Sequence, residues 1–407
     1  MALITCQEAL DLVAEHVAAL STRTSVEHVP LDQSLGRVLA KPIHADRDQP
    51  PFPRSTRDGY AVRAADRGAR KLIGSVRAGE VWTGSPLAEG EAVEVMTGAP
   101  VPDGADAVVM LEHVEATTTT VNISGDHLPS TGDNVVPRGQ EAIAGDVLLH
   151  AGVRLTAAEI ALAASVGASE LDVYLQPVAA ILATGDELVA VDQTPAQHQI
   201  RNSNSHALAA LVRQHGGAPR LLPPALDTRE SLLERLTAAR DAELLLLSGG
   251  VSAGKYDLVE DVLLSLGSEF YFTGVRIQPG KPAVFGRLPA TDTHAEQWIF
   301  GLPGNPVSTL VTALLFAMPM LRALGGELSP RPRFVQATLA TEVKVRPGLT
   351  RFVAAKLSSS LHPVTVEPVA SHGSGDLVGN ARADAYIAVP SEVDTLAASA
   401  TVSVLLR

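Results

Sequence analysis

Apolar residues recur at helical spacing near the start of the chain. Leu10, Val13, Ala14 and Val17 follow Thr5-Cys6-Gln7-Glu8, a run that fits a capping box. A second short helical pattern, LDQSLGRVLA, precedes DQPPFPRST, where the prolines prevent a helix from continuing. From Tyr60 to about His150 the runs shorten to strand length (AVEVM, AVVMLEHV, TTTTVNIS, DVLLH). Turn-forming stretches such as TGAPVPDGAD separate them, so a small β-rich unit is expected. LTAAEIALAASVG then reads as a helix leading out of that unit, and it is expected to pack against the N-terminal helical region. The division is a helical and linker domain over 1–50 and 140–176, with a β-rich domain inserted over 51–139.

Over 177–327 the pattern becomes strand, loop, helix, repeated. VAAILA ends in TGDEL, SNSHALAALVRQHGG and TRESLLERLTAAR read as helices, and ELLLLSGG is a buried strand entering a glycine loop. YDLVEDVLLSLG follows as a helix, and WIFGLPGNP repeats the strand-to-glycine-loop arrangement. Such alternation predicts a doubly wound, mostly parallel α/β domain with ligands at the carboxyl ends of its strands. From 328 to 407 the texture returns to β. The fold class expected is therefore α/β and β multidomain, with β-rich domains on either side of a central α/β domain. Beyond the short TTTT run there is no internal repeat or low-complexity segment.

Composition narrows the function. The 407 residues are 46% hydrophobic and 19% charged, which suits a folded chain of two to four domains. Aromatics are only 4%, so Ala, Val and Leu must build the cores. The formal net charge of −13 opposes general nucleic-acid binding, and anions must be captured locally by backbone amides, helix starts or a few placed cations. Cys6 is the single cysteine, which excludes an intramolecular disulfide and thiolate metal clusters. The first residues carry acids ahead of any long apolar run, unlike a secretory signal, and the most apolar run, TLVTALLFAMPML, holds a proline. No membrane span and a cytoplasmic location are expected.

Chemistry concentrates in the α/β region. In SGGVSAGKYD, a strand empties into Gly249, Gly250, Ser252 and Gly254 before a helix, allowing backbone N–H groups close approach to phosphate oxygens. The spacing is neither a P-loop nor a GxGxxG fingerprint, and a turn without ligand would look the same. GLPGNPVS weighs against that bland reading: Pro303 and Pro306 stiffen a second loop, Gly304 permits positive φ between them, and Ser308 opens the helix. Between the two loops, Gln278-Pro279-Gly280-Lys281-Pro282 supplies a turn and one cation. Glu187 ends the first strand, Asp227 follows the strand-like LLPPAL, and Asp257 closes the first glycine loop. Carboxylates at neighbouring strand ends could share a magnesium-type ion, while Asp186 reads as a helix N-cap or solvated acid. In the N-terminal half, Asp58-Gly59, Thr97-Gly98, Arg138 and Glu141 sit in turn-like segments that alone imply only connectivity.

DGYA, MTGAPVP, TGDEL, SGGVSAGKYD, PGKP, GLPGNPVS and the later HGSGDL occur in the order seen in the MoeA/gephyrin E-domain family, which the chain resembles over nearly its whole length. The resemblance implies a molybdopterin-binding fold for the central domain, four domains and a homodimer whose cleft the partner helps to line. It implies an enzyme of molybdenum cofactor biosynthesis that inserts molybdate into adenylylated molybdopterin and releases AMP, using Mg2+ or a similar divalent ion. By this resemblance Asp58, Thr97, Glu141, Glu187 and Asp227 are catalytic. Asp257 and Glu187 hold the metal. Gly249, Gly250, Ser252, Gly254, Lys281, Pro303, Gly304, Pro306, Ser308, Arg351 and Ser374 bind substrate. Cofactor-biosynthesis enzymes and apo-molybdoenzymes are further partner classes. Departures from the family pattern fall at Arg57 (usually Met), Glu141 (usually Asp), Gln278 (often Lys) and Ala354 (usually Arg, with Arg351 nearby). Two other readings are a non-catalytic molybdopterin-binding scaffold and an enzyme like molybdopterin adenylyltransferase. The latter leaves the DGYA and MTGAP segments unexplained.

Overall fold

The computed structural model describes residues 3–20, 25–125, 127–250, 258–328, 330–358 and 363–407. The first helix, Cys6–Ala18, starts on the expected capping box: Glu8 N–H donates to Thr5 Oγ1 (3.2 Å) and Thr5 N–H to Glu8 Oε2 (2.7 Å). Its buried face (Cys6, Ala9, Val13) joins the core of the α/β domain, so the helix Ala157–Ser165 packs not with it but with the later part of the N-terminal region, around Leu31–Gln33. LDQSLGRVLA forms only a 3-10 turn, Leu31–Gln33; Gly36 has φ 75° and the chain turns away there. Val29 and Leu39 instead share a small core with Leu155, Ala163 and Leu171.

The N-terminal β unit is a six-stranded sheet built from residues 59–123. The central domain carries another, in the spatial order Ala218–Leu221, Val178–Ala183, Leu244–Ser248, Gln297–Leu302, Val284–Leu288, Glu269–Phe272. The first four strands are mutually parallel, and of the remaining two only Val284–Leu288 runs the opposite way, as the expected mostly parallel sheet requires. Leu244 to Leu247 are wholly buried between two helical layers, each leucine contributing roughly 1.5–3 kcal/mol of transfer free energy. The strand expected at LLPPAL lies earlier, at Ala218–Leu221. Pro223 and Pro224 cannot donate to a ladder, and the chain touches the sheet again only through the bridge Thr184–Ala225.

One face of this sheet is covered by a continuous helix, Pro306–Leu324, 19 residues long with mean hydropathy 1.7 and 78% buried. The expectation that proline would interrupt this run fails. A widened π turn, Ala313–Ala317, precedes Pro319 and gives its ring room where a regular turn would clash. The helix meets the length and apolarity of a membrane span, yet its apolar surface is spent on the protein core. In the C-terminal domain, strands Phe334–Leu339, Thr350–Leu357, Thr365–Pro368, Ala385–Val389 and Thr401–Leu406 close on themselves, because Thr350–Leu357 pairs with both Thr365–Pro368 and Ala385–Val389. Ile277–Gln278, from the α/β domain, adds to Thr350–Leu357 and ties the two domains together beside Lys281.

Candidate active site

A cleft of about 1060 Å³ opens where the parallel strands end, as the topology dictates. Of the residues singled out in the sequence, it is lined by Glu187, Asp227, Gly249, Gly250, Lys281, Pro303, Gly304, Pro306, Ser308, Arg351 and Ser374. Ser252, Gly254 and Asp257 lie outside the described residues. Asp58, Thr97 and Glu141 do not line this cleft; all three belong to the N-terminal half.

The first glycine loop follows Leu244–Ser248. Gly249 and Gly250 have φ of 91° and 64°, and a Cβ at Gly250 would stand 2.6 Å from Thr184 Oγ1. Glycine is thus required by both backbone and space. Thr184 Oγ1 itself is buried with no hydrogen-bond partner among the described residues, a polar atom left over at the cleft wall. The second loop behaves differently. Gly304, free to take a positive φ, does not use that freedom; its nearest neighbour is Gly249 Cα, 3.6 Å from a built Cβ. Its carbonyl accepts a hydrogen bond from Asn204 Nδ2 (2.7 Å), which also donates to Ser248 Oγ (2.8 Å). Asn204 therefore bolts the two loops together. Ser374 caps the second loop: its carbonyl accepts from Val307 N–H (3.0 Å) and its hydroxyl from Asn305 Nδ2 (3.0 Å). One early amide of the helix is thereby already engaged by the C-terminal domain.

Asp186, read from sequence as a cap or solvated acid, sits in a turn with no helix behind it and accepts from Asp227 N–H (3.1 Å). Glu187 folds over Gly185, whose built Cβ would meet Glu187 Oε2 at 2.4 Å. Partial burial, then the neighbouring Asp186 and Glu187 carboxylates, push the Asp227 pKa up. Among the described residues no group of three or more His, Cys, Asp or Glu side chains could hold a metal. A magnesium-type ion needs only one or two carboxylates when phosphate oxygens and water complete its shell. Glu187 and Asp227 fit that role: burial and the clustered carboxylates disfavour the charge on Asp227, and a cation would offset both.

Opposite the acids, Arg351 Nη1 donates to Gln278 Oε1, and its Nε to the Arg346 carbonyl (2.9 Å). The lysine often found at 278 in the resembling family would repel this guanidinium; Gln278 orients it. Ala354 also lines the cleft. Far from it in sequence, Asp58 Oδ1 accepts from Thr97 N–H (2.6 Å) and Oγ1 (2.8 Å), which hold the Asp58 pKa below the usual carboxylate value. Glu141 pairs with Arg54 (3.2 Å) and Arg138 with Asp48 (2.7 Å). Sequence reasoning missed Asn202, Ser203 and Asn204 at the cleft. The run RNSNS before a helix was the available signal, since Asn202 caps it by accepting from Ser205 N–H (3.1 Å).

Family models match nearly end to end: the MoeA N-terminal region (domain I and II) over 4–167, a probable molybdopterin binding domain over 180–323, and the MoeA C-terminal region (domain IV) over 336–406. The chain is 34% identical over 398 residues to the molybdopterin molybdenumtransferase of a Nostoc strain, covering 94% of this chain and 89% of that one. The chain belongs to the MoeA family. The enzyme of the same name from Staphylococcus epidermidis is 32% identical, covering 93% and 90% of the two chains. The crystal structure of the molybdopterin biosynthesis MoeA protein of Pyrococcus horikoshii superposes with a TM-score of 0.77 at 26% identity over the full length of both. Matches to all three MoeA regions leave no place for the reading based on the α/β domain alone.

Proposed function

We propose that this chain is a molybdopterin molybdenumtransferase, inserting molybdate into adenylylated molybdopterin and releasing AMP in the cytoplasm. The observation that carries this reading is the convergence of two bolted glycine loops, Lys281, and the Glu187 and Asp227 carboxylates in one cleft at the strand ends. The pyrophosphate of the substrate would lie along Gly249–Gly250 and Pro303–Ser308, with Lys281 neutralising phosphate charge. Arg351, oriented by Gln278, is placed to receive an oxyanion such as molybdate. Asp227, whose pKa burial and the neighbouring Asp186 and Glu187 raise, is the carboxylate whose charge a bound cation would stabilise most. A bound Mg2+ held by Glu187, Asp227 and the family position Asp257 would supply charge neutralisation for the phosphate oxygens. No covalent nucleophile is needed.

Asp58 and Thr97 do not line the cleft of their own subunit, and this reading has them reach it from a second one, with a homodimer as the working form. Subunits carrying Asp58→Asn, mixed with subunits carrying Asp227→Asn, should regain part of the activity that each variant lacks. Activity in the mixture no greater than the two variants alone would refute a cleft completed by the partner. The function itself is tested by supplying adenylylated molybdopterin, molybdate and magnesium, then following AMP and reconstitution of an apo-molybdoenzyme.

A further inference from the structure

A second cavity, of about 220 Å³, lies at the other end of the Pro306–Leu324 helix, away from the cleft residues. Five arginines line it, Arg154, Arg322, Arg331, Arg333 and Arg407, together with His215. They come from the N-terminal half, the long helix, the lead into the C-terminal domain and its last strand. In a chain with 32 basic and 45 acidic residues such a gathering is not a sampling of the surface.

These guanidiniums divide into two groups. Arg154 and Arg322 both grip Glu327, Arg154 through Nε at 2.9 Å and Arg322 through Nε at 2.9 Å and Nη2; these side chains are 13–23% exposed. Arg154 also donates to the Gly36 carbonyl (2.6 Å) and the His215 carbonyl (2.9 Å), and Arg407 to the carbonyls of Asn380 (2.7 Å) and Ala383. Arg154 and Arg322 thus tie domains together, and Arg407 is spent within the C-terminal domain. Arg331 and Arg333 have no side-chain hydrogen bond or ion pair among the described residues, yet both line the cavity, and Arg322 Nη1 fixes the Arg331 carbonyl at 3.1 Å. His215 Nε2 is buried and likewise without a partner. Among the described residues, Glu327 pairs with Arg154 and Arg322 and with none of the other three arginines. Structural pairing accounts for three of the arginines and leaves two guanidiniums and a ring nitrogen unused around one space.

We propose that this cavity is a binding site for a small tetrahedral oxyanion, either inorganic phosphate or the phosphate end of a phosphomonoester, held by Arg331, Arg333 and His215 Nε2. Its volume of about 220 Å³ is ample for one such anion with part of its hydration shell. The ligand would join the C-terminal domain to the α/β domain, so its binding free energy adds to the stability of their arrangement. The site does not depend on the chemistry assigned to the cleft.

The test is a titration of full-length protein with inorganic phosphate and, separately, glycerol 3-phosphate, read from the His215 imidazole resonances, which report on this cavity alone. Those resonances should shift saturably in the wild type and equally in Lys281→Ala, which alters only the cleft. In Arg331→Ala/Arg333→Ala the affinity should fall at least about tenfold, the loss of one charge-assisted contact at minimum. Both side chains are exposed at the surface end of the cavity, so the variant should melt near the wild-type temperature in the absence of phosphate. A preference for phosphate or for the monoester would tell which source supplies the anion. No shift of His215 in the wild type, or an unchanged affinity in the double variant, would overturn the proposal and leave the arginines as surface charge.

Discussion

The two ends of the Pro306–Leu324 helix meet anions in opposite ways. At its start the cleft mixes signs, with Glu187 and Asp227 beside Arg201, Lys281 and Arg351, and anionic charge is received by glycine-loop backbone, Lys281 and an oriented Arg351. Near its other end the cavity is lined by five arginines around one glutamate. The difference is written in two carboxylates. Asp227 titrates high because burial and two neighbouring acids disfavour its charge. Burial would also raise Glu327, but Arg322 and Arg154 outweigh it and hold its pKa below the ordinary value. A chain of net charge −13 can thus bind anions by preorganised backbone where chemistry must occur, and by guanidiniums where only holding is required.

Breaking the element that both regions share should have the largest effect. Phe316 is 1% exposed in the π turn midway along the helix. Phe316→Ala should cost about 3–5 kcal/mol, measured by denaturant unfolding, and loosen cleft and cavity together. A loss confined to one region would mean that the helix does not couple them.

The carboxylates sharpen the contrast through pH. The folded-state pKa of Asp227 is raised, so its penalty is absent below the unfolded value and grows as pH rises through the folded one. Asp227→Asn should therefore raise the melting temperature at neutral pH, with a gain that vanishes in acid, while lowering activity by about 10²-fold or more. Glu327 has a lowered folded pKa. Its contribution is present above the unfolded value and lost as pH falls through the folded one, so Glu327→Gln should destabilise the protein at neutral pH and leave less difference in acid. Melting curves for both variants at pH 7 and pH 4 check the opposite signs; parallel curves would erase the distinction between the two sites.

The smallest effect falls on Asn204, which touches neither charge cluster. Asn204→Ala removes two hydrogen bonds between the glycine loops, and about 1–2 kcal/mol of loop positioning should appear as a raised KM with modest change in kcat.

What could be read from sequence was local. The Thr5/Glu8 box, the buried Leu244–Ser248 strand and the proline-stiffened loop before Pro306 each announce themselves within ten residues. Asn204 escaped because its partners lie 44 and 100 positions away. The arginine cavity escaped for the same reason: positions 154, 322, 331, 333 and 407 share no pattern along the chain. LDQSLGRVLA misled because its helical spacing competes with Gly36 in a left-handed conformation and with burial of Val38 and Leu39 in a strand-like segment. The Pro306–Leu324 run misled because a π turn absorbs Pro319, which spacing alone does not reveal.

The central claim, that the cleft at the strand ends is an insertase site, is tested most directly by AMP release coupled to cofactor reconstitution. Wild-type protein saturated with adenylylated molybdopterin, molybdate and magnesium should release AMP and restore an apo-molybdoenzyme. Lys281→Ala should require roughly tenfold more substrate, the loss of about 1–3 kcal/mol in one charge-assisted contact. Tight substrate binding with neither AMP nor active cofactor would contradict the account and make the cleft a holding site.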